Sequence, residues 1–223
     1  MRILLVTLVL LAGCSRPETS PPAAKETPPA PPVVPQRTDE RPVIVAFGDS
    51  LTAGFGVSPG LSYPDHLQKS LDAAGHSYRV VNEGISGDTT SGGVARVGLV
   101  LSHKPAIVIL ALGANDGLRG IPVARTHENL DLMLAEILKS GVKVLLAGIT
   151  LPRNYGPDYI GQFDRIYPEL ARKHKTPLLP FLLEGVALNP KLMLGDALHP
   201  NAEGNRVVAA NVMKGLRPLL AGK

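Results

Sequence analysis

The chain is poor in cysteine, in aromatic residues and in charge of one sign. Among 223 residues there is one Cys and no Trp, with 5 Tyr and 4 Phe. A single cysteine excludes an internal disulfide, the cross-link that exported domains often carry. Lys and Arg number 23 against 19 Asp and Glu, and the small excess is dispersed rather than striped. A nucleic-acid surface needs a clustered basic face with rings for stacking, so that class is set aside. Neither a His-x-x-x-His pair nor a cysteine pair is present, so no metal or organic cofactor is implied. No repeat divides the chain. Apolar residues, by contrast, make up 44% of it, enough for a buried core.

The N-terminus reads as an attachment to that core. Met1 and Arg2 precede "ILLVTLVLLA", an apolar run too short to span a bilayer and typical of a secretory signal. Leu11, Ala12, Gly13 and Cys14 together resemble a bacterial lipobox. The resemblance implies that residues 1–13 are a signal peptide removed in processing and that Cys14 becomes a lipidated N-terminus. Acyl chains there would contribute about 0.8 kcal/mol per buried methylene towards membrane attachment. Ser15 in the next position, rather than Asp, resembles lipoproteins sorted to the outer membrane. The expected location is therefore the bacterial cell envelope, on the outer membrane facing the periplasm.

Residues 14–42 follow as lipidated cysteine and linker. Positions 15–42 contain nine prolines among Ala, Thr, Glu and Lys, and no run of large apolar residues. Such a segment stays extended. At about 3.1 Å per residue it reaches roughly 90 Å, a tether between membrane and domain. A proline-rich recognition motif is the rival reading, but PxxP matches are expected in any segment of this composition.

Residues 43–223 form the domain. β-Branched or Leu-rich runs at Val43–Phe47, Tyr78–Asn82, Ala106–Leu112, Val142–Ile149 and Pro177–Leu182 predict five strands. Helical spacing lies between them: Leu67, Leu71 and Ala74; Val94, Val97 and Leu101; Leu130, Leu134, Ile137 and Leu138; Tyr159, Phe163, Ile166 and Leu170; and finally Val208, Val212, Leu216 and Leu219. Pro168 falls inside the fourth pattern and should kink or break that helix. Strands alternating with helices predict an α/β domain, doubly wound in three α/β/α layers around a five-stranded parallel sheet.

In such a sheet ligands bind at the carboxyl ends of the strands. Ser50 in "FGDSL" follows the first strand, Gly87 in "NEGISGDTT" the second and Asn115 in "LGAND" the third. Asp196 and His199 in "GDALHPN" precede the last helix. Each has an ordinary explanation when taken alone: a helix cap, a turn glycine, an Asx turn, an exposed loop histidine. Together they supply what acyl transfer requires: a nucleophile, a base, a carboxylate to orient the base, and donors for the developing oxyanion. Asp196 and His199 are close enough in sequence for one turn to set the carboxylate on Nδ1 and leave Nε2 for Ser50.

Two rival assignments fail on chemistry. "GVSPG" at 56–60 matches the G-x-S-x-G nucleophile elbow, but no strand precedes it, and Pro59 after Ser58 has no N–H to offer an oxyanion. His66, His76, His103, His127 and His174 lack an acid–histidine turn like that at 196–199 and read as surface residues. Asp49, Asp88 and Asp116 read as loop-fixing carboxylates that accept backbone hydrogen bonds.

"FGDSL", the glycine of "SGD", "GAND" and "DALH" resemble, in order and spacing, the four blocks of the SGNH hydrolases, the GDSL esterase/lipase superfamily. The likeness runs from about Val43 to Leu220 and is nearest to the bacterial thioesterase I/lysophospholipase and arylesterase branch, with "ISGDT", "NDGLRG", "LPRNYG" and "PLLPF" also having counterparts. It implies a flavodoxin-like fold and a triad of Ser50, Asp196 and His199. It also implies an oxyanion hole formed by the Ser50 and Gly87 N–H groups and the Asn115 side chain. The lipobox and proline tether depart from the simple signal of soluble periplasmic members. The implied activity is hydrolysis of carboxylic esters or thioesters through an acyl-Ser50 intermediate. The partners are then a small acyl substrate and, through Cys14, a membrane; no oligomeric state is assigned. By resemblance, Asn115–Ile121 and Leu151–Asp158 line the acyl pocket. The alternatives are a tethered binding protein without turnover and a carbohydrate O-deacetylase of the same superfamily.

Overall fold

A computed structural model describes residues 39–220. The proposed signal peptide, Cys14 and the linker as far as residue 38 lie outside the described residues. Five parallel strands, β1 (Val43–Gly48), β2 (Arg79–Gly84), β3 (Ile107–Ala111), β4 (Lys143–Ala147) and β5 (Leu178–Leu179), form one sheet in the order β2-β1-β3-β4-β5. This is the flavodoxin-like order, which reverses direction beside β1 and opens a crevice there.

The central strands are apolar throughout because both of their faces are covered. β1 and β3 are buried at every position and β4 from its second residue on, whereas edge strand β2 is only partly buried. Helices α2 (Tyr63–Ala73) and α7 (Ala202–Leu216) pack together on one face. On the other, α5 (Val123–Lys139) packs against both α3 (Thr90–Ser102) and α6 (Pro157–His174). Right-handed crossovers dictate this division. Two short helices, α1 (Ser50–Ala53) and α4 (Ala114–Leu118), sit at the sheet's carboxyl end.

Local chemistry fixes where the helices start. Ser62 and Asp65 form a reciprocal capping box on α2. Thr89 caps α3 through the Gly92 N–H, and Asn201 caps α7 through the Gly204 N–H. Asn205 of α7 in turn accepts the Tyr63 N–H at 3.0 Å, joining the two helices of that face.

Two expectations need correction. The fifth strand pairs only over Leu178–Leu179 rather than Pro177–Leu182, since Pro177 and Pro180 on either side have no N–H for the ladder. Pro168 does not break α6, which continues to His174. It lies on the exposed side, where water can satisfy the carbonyl that proline leaves unpaired.

Candidate active site

β1 delivers Ser50 by a tight passage. Its last residue is Gly48, where a Cβ would collide with Thr52 Oγ1 and the Ala111 carbonyl, so β1, β3 and α1 come closer than any side chain permits. Asp49 then caps α1, its Oδ1 accepting the Leu51 N–H at 3.0 Å. Ser50 is the first residue of that helix. Gly87 lies in the loop after β2 with φ +82°, a left-handed conformation that glycine adopts without strain. Asn115 belongs to α4 rather than to a loop, one turn beyond β3.

The residues expected to act together do meet. His199 Nε2 lies 2.8 Å from Ser50 Oγ, and His199 Nδ1 lies 2.6 Å from Asp196 Oδ2. The tautomer consistent with this chain has Nδ1–H donating to the carboxylate and Nε2 accepting from the serine hydroxyl. Asp196 Oδ1 also accepts the backbone N–H groups of Leu198 (2.9 Å) and His199 (3.0 Å). Partial burial opposes ionisation of this carboxyl. The two N–H groups and the imidazole outweigh it and hold the pKa down to about 2.

The proposed oxyanion donors line the same cavity as the histidine. Among the described residues, the N–H groups of Ser50 and Gly87 have no acceptor. Asn115 Nδ2 donates to the Asp88 carbonyl at 2.9 Å and, more weakly, to Asp49 Oδ2 at 3.4 Å. Asp49 is 1% exposed, and that burial raises its pKa to about 6 against the opposing pull of the Leu51 N–H and His199.

Ser50, Gly87, Asn115, Asp196 and His199 all line one cavity of about 960 Å³. Its remaining wall is largely apolar and includes Leu118, Ile149, Leu151, Tyr155, Phe181 and Leu183. The walls expected from Asn115–Ile121 and Leu151–Asp158 are thus present in part. The wall between Phe181 and Met193 was not anticipated, because it comes from the irregular stretch after β5. Tyr155 Oη donates to the Leu118 carbonyl at 2.8 Å and ties two of these walls together.

Other residues at the site carried no sequence signal of their own. The Phe55 ring lies 4.6 Å from the His199 ring, tilted by 41°. Arg119 Nη2 donates to the Gly87 carbonyl at 2.8 Å. Asp49 and Asp116 accept backbone N–H groups as expected, from Leu51 and Thr90. The Asp88 carboxylate differs, for it holds the Arg96 side chain at 2.8 Å. Nor are the other histidines simple surface residues. All five are half-buried, and His103 and His174 bond to Glu83 (2.7 Å) and Asp131 (2.6 Å). Ser58 is exposed and lies outside the cavity lining.

Fold and site together define an α/β hydrolytic architecture of the SGNH type. The model of the GDSL-like lipase/acylhydrolase family matches residues 46–207. Esterase TesA of Pseudomonas aeruginosa is 44% identical over 178 residues, covering 79% of this chain and 89% of that protein. Thioesterase 1/protease 1/lysophospholipase L1 of Escherichia coli is 39% identical over 178 residues, covering 79% and 84% respectively. The crystal structure of TesA superposes with a TM-score of 0.77 at 44% identity, covering 80% of this chain and 99% of that one. The chain belongs to the GDSL-like lipase/acylhydrolase family and is a serine esterase of that family.

Proposed function

We propose that the protein hydrolyses carboxylic esters or thioesters with apolar acyl groups through an acyl-Ser50 intermediate, using His199 as base and Asp196 to orient it. The observation that carries this reading is the continuous Asp196–His199–Ser50 hydrogen-bonded chain opening on a largely apolar cavity of about 960 Å³. His199 removes the Ser50 proton as Oγ attacks the acyl carbonyl. The oxyanion is held by the Ser50 and Gly87 N–H groups and the Asn115 amide. His199 then protonates the departing alcohol or thiol, and water releases the acid by the reverse steps.

The cavity is near the upper end of the range for sites that enclose drug-sized ligands, about 300–1,000 Å³. Its apolar wall suits an acyl chain better than a sugar, which favours the esterase, thioesterase or lysophospholipase reading over O-deacetylation. The relatives' names, esterase and thioesterase 1/lysophospholipase L1, are of the same kind. Among the described residues no helix is long and apolar enough to cross a membrane. A lipid at Cys14 would hold the domain to the bacterial outer membrane on its periplasmic side. Cys14→Ser should then shift the protein from the membrane to the soluble fraction, and an unchanged distribution would remove the anchor.

A series of 4-nitrophenyl esters from acetyl to palmitoyl, run on wild type and Ser50→Ala, tests the activity. The expected result is a kcat/KM that rises with acyl length until the cavity is filled, and no turnover by the variant. A preference for acetyl would favour the deacetylase instead, and equal turnover by Ser50→Ala would remove the nucleophile.

A further inference from the structure

We infer that Arg96, on α3 and outside the proposed triad and oxyanion hole, is the positioning residue that sets the spacing of the three oxyanion donors. The inference rests on the oxyanion assignment above.

Arg96 is nearly enclosed, its side chain 12% exposed, and its guanidinium is bonded in several directions. Nη2 donates to the Gly48 carbonyl at 2.9 Å, two residues before Ser50. Nη1 donates to the Glu83 carbonyl at 2.9 Å on β2, with the Glu83 carboxylate 3.8 Å away. Nε donates to Asp88 Oδ2 at 2.8 Å. The group also lies over the Phe47 ring, 4.5 Å from its centroid, which fixes the plane of the fork. One rigid planar cation therefore touches the end of β1, the end of β2 and the loop that carries Gly87.

Asp88 passes this constraint on to the remaining donors. It adjoins Gly87, so anchoring its side chain restrains the Gly87 peptide. Its own carbonyl accepts Asn115 Nδ2 at 2.9 Å and so aims the amide. The Asp88 carboxylate sits against Gly92 of α3, where a Cβ would collide with Oδ1, so no larger residue at 92 would leave room for it. Each donor is thus at most a few covalent or hydrogen-bonded links from the Arg96 fork. A structural salt bridge alone would not need bonds to two strand-end carbonyls and a carboxylate at once. Lysine could supply the charge, but it is a point donor without the planar fork.

The test compares Arg96→Lys and Arg96→Gln with wild type below their melting transitions, alone and combined with Asn115→Ala. A misplaced set of oxyanion donors should lower kcat by about 10²-fold, the scale of a 1 Å displacement at a reacting centre. KM should change little, and Lys should rescue little of the loss. The decrease should shrink when Asn115 is already alanine, because the two residues act on one step. Asp88→Ala, which cuts one arm and leaves Arg96 in place, should reproduce the loss and its coupling to Asn115, and it decides the matter if the Arg96 variants do not fold. Wild-type kcat in Arg96→Lys or Asp88→Ala, or losses that multiply fully with Asn115→Ala, would overturn the inference. Wild-type kcat in Asn115→Ala would instead defeat the underlying oxyanion assignment; a strongly reduced kcat in Asn115→Ala beside a fully active Arg96→Lys defeats only the role given to Arg96.

Discussion

On one side of Ser50, Asp196 and His199 stand in a single turn and remain partly open to solvent, with side chains 36% and 18% exposed. On the other side, Asp49 is buried, and Asn115 and Gly87 are held by Asp88 and Arg119 from separate segments. The acid–histidine part of the proposed triad is thus a local motif and the proposed oxyanion hole a long-range assembly. The difference shows where a change should act: a substitution in the turn removes a chemical group from the reaction, whereas one behind the oxyanion shelf moves groups that are still present.

The sharpest way to break the turn is Asp196→Asn, which leaves the shape but reverses the hydrogen-bonding preference at His199 Nδ1. By analogy with the same change in other triads, kcat should fall about 10⁴-fold. Steady-state kinetics on a short ester would measure it, and a loss under tenfold would mean that Asp196 does not orient the base. On the shelf, Asn115→Ala removes one donor and should cost about 10²–10³ in kcat with KM nearly unchanged. A rise in KM alone would make Asn115 a substrate-binding group instead.

A further prediction concerns stability rather than rate. Folded Asp49 binds its proton more tightly than an unfolded carboxyl does, since burial raises its pKa from 3.8 to about 6. Its contribution to stability is therefore full below the unfolded value and is lost as pH rises through the folded one. The change approaches about 3 kcal/mol when the whole shift is expressed. Urea unfolding of Asp49→Asn between about pH 4 and pH 7 should lack this decline. An identical slope in wild type and variant would place the titration elsewhere.

Much of this was legible in the sequence, for reasons that follow the same division. Buried strands such as Val43–Phe47 announce themselves as continuous apolar runs, and the Asp196–His199 pairing needs only one turn. Ser50, Gly87 and Asn115 could be expected to line one cavity, as they do, because the carboxyl ends of parallel strands converge. Arg96, Phe55 and Arg119 were not, since their roles depend on which backbone carbonyl or ring lies across from them, and nothing in local spacing encodes that. The fifth strand was overdrawn because apolar content does not report that flanking prolines lack ladder donors. Pro168 misled in the opposite direction, because its cost depends on which side of the helix faces water.

In the proposed mechanism Ser50, activated by His199, is the group that attacks. Intact-mass analysis and peptide mapping after brief exposure to a fluorophosphonate test it directly. One adduct per chain is expected, on Ser50, absent from Ser50→Ala and greatly slowed in His199→Ala. An adduct on Ser58 or another residue, or labelling of Ser50 at an unchanged rate without His199, would contradict it.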